Sequence, residues 1–154
     1  MRLAVKVLLG WFALFGLVIG LWQAVFPASF YADFPGMGHH WVSPDGPYNE
    51  HLLRDVGLGN LAVGTVALVA LLTGGVWVAR AVGLAVVVTN LPHQLYHQVH
   101  VSVLPTVTDQ VLQSISLAAV SLAAIALVVL TSRLPAAAST AERSGSRAPA
   151  PTHH

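Results

Sequence analysis

"LAVKVLLGWFALFGLVIGLWQAVF", residues 3 to 26, reads as one membrane-spanning helix. Only Lys6 and Gln23 interrupt an otherwise apolar run. A helix needs about 20 such residues to cross the hydrocarbon core of a bilayer. Arg2 and Lys6 give the run a basic start, as in a signal peptide. A signal-peptide core has only about 7–15 apolar residues and is followed by a small-residue cleavage site. The run is longer and no clean site follows, so it reads as an uncleaved span.

Three more apolar runs follow. The second extends from about residue 51 to 73 and ends at Gly74 and Gly75. The third covers about 76 to 100, and the fourth about 108 to 132. Only 8% of the 154 residues are charged, against about 25% in soluble domains. So little charge does not cover a water-facing surface. The expected fold is all-α: an integral membrane four-helix bundle over residues 1–133, with a structured extracytoplasmic loop between helices 1 and 2. Residues 134–154 are rich in Ala, Ser, Pro and Arg, and are expected to form a disordered cytoplasmic tail. His153 and His154 are given no role.

Composition also excludes. The chain has no cysteine, hence no disulfide, thiolate metal site or thiol redox chemistry. A net charge of +1 without a basic stripe leaves no footprint for nucleic acid. No nucleophile paired with a base, phosphate-cradling glycine loop or dinucleotide fingerprint is present.

The cations set an orientation. Four crossings place Arg2, Lys6, Arg80, Arg133, Arg143 and Arg147 on one side. Positive residues favour the cytoplasm. Both termini are then cytoplasmic, in the plasma membrane. Arg54 is the exception. The opposite end collects His39, His40, His51, His93, His97 and His100, with Asp33, Asp45, Glu50, Asp55 and Asp109.

Three polar stripes mark that end. At the start of span two, Pro47 suits a first helical position. Glu50 and Arg54 have ion-pair spacing, as do His51 and Asp55. Glu50, Arg54, Gly57, Leu61 and Gly64 share a face. In span three, Asn90, His93, His97 and His100 fall within about 80° of arc. Pro92 should kink this helix; alternatively the histidines lie on an interfacial helix. In span four, Thr106 and Asp109 resemble a capping box, and Gln110, Gln113, Ser114 and Ser121 share a face. The stripes are expected to converge, because an unpaired polar group facing lipid costs free energy. Phe30, Tyr31, Phe34 and Trp41 are expected to dock the first loop as a lid. Gly16 and Gly20 fit close helix packing, although a Gly-rich span produces such a pair by chance as well.

The sharpest chemical expectation is a metal. Two histidines one helical turn apart can share a transition ion. His93 and His97 have this spacing; His100, His51, Glu50 or Asp55 would complete a Zn, Cu or Fe shell. Arg54, Asn90, His39, His40 and Gln110 would form the polar surroundings. Haem is disfavoured, because His39, His40 and His51 lie at or beyond the surface. A structural polar network explains the same residues without a ligand. So does a pH-responsive element, or a pocket for a lipid or quinone headgroup.

The stretches "FPGMGHHWVSPDGPYNEHLLRDVGLGNLAVG" and "NLPHQLYHQVHV" resemble small actinobacterial four-span membrane proteins, similar to the DoxX-like group. The resemblance covers about residues 1–133. It implies a four-helix bundle in the cell membrane and carries over no catalytic residue. Two classes stay open: a metal-dependent membrane enzyme, and a non-enzymatic module serving as a subunit, lipid binder or sensor. Expected partners are membrane lipid, a small lipophilic ligand or another membrane protein.

Overall fold

The structure is a computed structural model that describes residues 1–135. Nearly all of the expected tail lies outside the described residues. Four long helices carry the fold: α1 (Leu3–Val25), α3 (Glu50–Thr73), α4 (Val76–Val99) and α5 (Val107–Ser132). Each is long and apolar enough to cross a membrane. Between α1 and α3 lie the short helix α2 (Pro27–Asp33), a two-stranded hairpin of β1 (Pro35–Gly36) and β2 (His39–His40), and a 3-10 turn (Ser43–Asp45). A second 3-10 turn, Val101–Val103, precedes α5.

Local chemistry sets the boundaries. A residue before proline is driven out of the helical region. Phe26 accordingly has φ −123° and ψ 57°, and α1 stops at Val25. Pro27 then opens α2, where its missing N–H costs nothing. α3 begins three residues after the expected Pro47, because Asn49 caps it: the Asn49 side chain accepts the Leu52 N–H at 3.1 Å. α3 ends on Gly74 at φ +74°, a left-handed cap that glycine adopts without strain. α4 runs through Pro92 to Val99, so the histidines continue the span itself and do not sit on a separate interfacial helix. Thr106 caps α5 by accepting the Asp109 N–H at 3.0 Å, as the capping-box spacing predicts.

Packing is pairwise. α1 lies chiefly on α3, and α4 chiefly on α5. Glycines let the first pair touch backbone to backbone. A Cβ on Gly16 would meet Gly64 Cα at 2.8 Å, and one on Gly20 would meet Leu61 N at 2.6 Å. The Gly16 and Gly20 pair is therefore a contact surface. The expected polar face of α3 turns toward α1 through Gly57 and Gly64, and does not converge on α4 and α5.

The apolar core occupies the half of the bundle nearest the termini. Val5, Leu9, Ala67, Ala79, Ala124 and Leu127 are fully buried there. Outward faces are also apolar; Leu14, Leu58, Val88 and Leu122 are all more than half exposed. That inversion suits a lipid solvent, in which apolar faces need no burial. The opposite half holds the described histidines and carboxylates.

Candidate functional site

The loop end is a folded cap. Trp22, Phe30, Phe34 and Trp41 form one aromatic chain. Ring centroids lie 5.4 Å apart for Trp22–Phe30, 4.6 Å for Phe30–Phe34 and 6.0 Å for Phe34–Trp41. Phe30 and Trp41 are buried, as expected for residues that dock the loop. The Tyr31 hydroxyl donates to the Gly46 carbonyl at 2.7 Å, drawing the turn onto α2.

Asp109 latches this cap to α5. The carboxylate is buried. Its Oδ1 accepts from His39 Nδ1 at 2.6 Å and from Trp41 Nε1 at 3.0 Å. Its Oδ2 accepts the Thr106 hydroxyl at 2.5 Å. The acceptor of Trp41 thus comes from a helix 68 residues further along the chain. Sequence reasoning gave Asp109 only a capping role. The Thr106–Asp109 spacing is local, and nothing in it signals a partner in the hairpin.

Arg54 joins α3 to α1. Its guanidinium meets Glu50 Oε1 from Nε at 2.9 Å and from Nη2 at 2.8 Å. Nη1 donates to the Ala24 carbonyl in the last turn of α1. A cation there satisfies a terminal carbonyl and faces the negative end of the helix dipole. One turn deeper, Asn60 donates to Gln23 at 3.0 Å. His51 and Asp55 form a separate, solvent-facing pair at 3.4 Å.

The stripes of α4 and α5 do face each other. Asn90 donates to Ser121 Oγ at 2.8 Å and to the Leu117 carbonyl at 3.1 Å. Ser121 in turn donates to Gln94 at 2.6 Å. Gln98 donates to Ser114 at 2.9 Å. Gln110 is spent on the Leu104 carbonyl at 3.0 Å, which closes the turn before α5.

The histidines divide in two. His39 is held by Asp109, His40 by the Ala32 carbonyl at 2.5 Å, and His51 by Asp55. His100 bonds the Tyr96 carbonyl at 2.8 Å and stacks on the Tyr96 ring at 4.2 Å. His93 and His97 differ. Neither has a hydrogen-bond partner among the described residues, and their ring centroids are 4.5 Å apart. Asp45, in the turn before α3, lies near enough for its charge to act on both rings. No periodicity pointed to Asp45, because the fold of the cap brings it there.

No protein-family model, curated protein or solved structure matches the chain.

Among the described residues, no three His, Asp or Glu side chains stand together as a metal shell. The expected set of His93, His97, His100, His51, Glu50 and Asp55 is therefore divided. Glu50 is drawn to Arg54, Asp55 to His51, and His100 to Tyr96. Short-range pairing along each helix satisfies these groups before they can meet across the bundle. What stays open is a two-imidazole pair with room for ligands from solvent.

Proposed function

We propose that the protein is a plasma-membrane module that binds a divalent transition metal ion, Zn, Cu or Fe, at its extracytoplasmic end through His93 and His97. The single observation behind this reading is the division of the histidines. Of the six described histidines four have partners, and two neighbours have none among the described residues and touch each other. Adjacent imidazoles on one helical turn suit such an ion. Solvent or an external ligand fills the remaining positions.

The test is elemental analysis of detergent-purified protein, lacking His153 and His154, after loading with each ion. The expected result is about one ion per chain, lost in a His93→Ala/His97→Ala double variant whose helix content is unchanged. Loading that is equal in both proteins would discard the site.

A second reading has its own support. The division of the carboxylates makes most of the titratable end a structural network, and the protein is then a non-enzymatic module for a lipid, a quinone headgroup or a partner subunit. Absence of any metal after loading selects it.

The orientation rests on charge. Arg2, Lys6, Arg80 and Arg133 lie at the terminal end, which the positive-inside preference assigns to the cytoplasm. Met37, at the hairpin tip, is fully exposed, and the chain has no cysteine. A Met37→Cys variant in intact cells should react with a membrane-impermeant maleimide. Labelling only after lysis would reverse the orientation. The likeness to actinobacterial DoxX-like proteins fits this picture through size and span number.

A further inference from the structure

We infer that the terminal end of the bundle carries a binding site for one anionic phospholipid headgroup, seated between the start of α1, the first turn of α4 and the end of α5. A groove of about 290 Å³ lies there, lined by Met1, Arg2, Val76, Leu134 and Pro135. Arg2 supplies a cation, and Val76, Leu134 and Pro135 supply an apolar wall. A phosphodiester with acyl chains matches that pairing; a free anion has no use for the wall.

Arg80 makes the site more than a charged rim. It stands one helical turn beyond Val76 on α4, and its Nη2 donates to the Thr131 carbonyl at 2.7 Å. The same carbonyl accepts the N–H of Leu134, a groove residue. Arg80 therefore underlies the groove. Its Cζ lies 4.6 Å from the Trp77 ring centroid, and its Nε is buried without a partner among the described residues. Among the described residues every carboxylate belongs to the cap or to the loop ends of α3 and α5. Among the described residues Arg80 thus has a carbonyl and an indole face as partners, and no carboxylate. A cation one turn inside a span sits at headgroup depth, where an anionic group can reach it. Basic pockets between helices on the cytoplasmic side recognise anionic headgroups in this way. Trp77 is 63% exposed, as befits an indole at headgroup level. The 136–154 segment is a poor occupant by charge, with Arg143 and Arg147 against Glu142.

The experiment uses the full chain in vesicles of phosphatidylglycerol and phosphatidylcholine, roughly 1:4, followed by native mass spectrometry of the lipid retained. Wild type should retain phosphatidylglycerol in excess over its share of the mixture. Arg2→Gln and Arg80→Gln should each reduce that preference roughly fivefold, as loss of a direct cation–headgroup contact would. Arg80→Lys, which keeps the charge, should retain part of it if Arg80→Gln fails to fold. Lys6→Gln, outside the groove, should change it little. An equal loss in all three charge-removing variants would mean diffuse surface attraction and overturn the site. So would displacement of the lipid by excess inorganic phosphate, which would mark a site for the free anion.

Discussion

Asp109→Ala will release the cap from α5 while the four long helices stay folded. Three donors converge on this one carboxylate: His39 Nδ1, Trp41 Nε1 and the Thr106 hydroxyl. Hydrogen bonds to a charged acceptor are stronger than those between neutral groups, and the three do not add. Removing the carboxylate leaves the Trp41 indole N–H and the Thr106 hydroxyl without their acceptor, and an unsatisfied donor in a buried setting is destabilising. A two-strand hairpin of two residues per strand has little of its own to oppose that loss. Hydrogen exchange localises the effect. The Trp41 amide, bonded to the Phe34 carbonyl at 2.8 Å, should lose protection with the rest of residues 34–46. The amides of α1 and α3 should keep theirs. Asp109→Asn retains one acceptor oxygen and should fall between the two. Unchanged protection of the hairpin in Asp109→Ala would show that the aromatic chain alone holds the cap.

The spans were legible because the signal for them is one-dimensional. A run such as residues 3–26 is apolar on every face, and no partner is needed to read it. Caps were legible for the same reason. Thr106 and Asp109 act within one turn, as do Asn49 and Leu52, although Pro47 diverted the reading of α3 from Asn49. Destinations were harder. The polar face of α3 was correctly drawn on the helix, yet it turns to α1. Gly57 and Gly64 allow that approach, and spacing alone does not say which neighbour bears the matching Gly16 and Gly20. The metal set shows the same limit. Periodicity put His93 and His97 side by side. The spacing also gave the Glu50–Arg54 and His51–Asp55 pairs, which are the contacts that divide the set; it did not show that Tyr96 would engage His100. Asp109 meets His39 and Trp41 only through the folded cap, so no local pattern exposes those two contacts.

Gly57→Leu should have the largest effect on the bundle itself. A Cβ at Gly57 would stand 2.6 Å from Ala24 N and 3.0 Å from Gln23 C. Both are backbone atoms of α1, so no rotamer change relieves the clash. Relief requires α1 and α3 to part. Parting would also draw Arg54 away from the Ala24 carbonyl and Asn60 from Gln23. Helix association within a bilayer depends on close van der Waals packing and on such interhelical hydrogen bonds, because lipid supplies no hydrophobic drive between helices. Overpacking alone costs about 1–3 kcal/mol, and interhelical hydrogen bonds in membranes add about 0.6 kcal/mol each on average. The expected loss is therefore about 2–4 kcal/mol, read by denaturing-detergent titration of protein in bicelles. Gly59 is the internal control. It lies on the same helix, two residues on, with nothing within 4 Å of its added Cβ. Gly59→Leu should be neutral or slightly stabilising, since glycine is the poorer helix former by up to about 1 kcal/mol. Equal stability of the two variants would mean that α1 and α3 do not meet through their glycines. The difference between them isolates backbone contact, because the substitution, the helix and the change in propensity are the same in both.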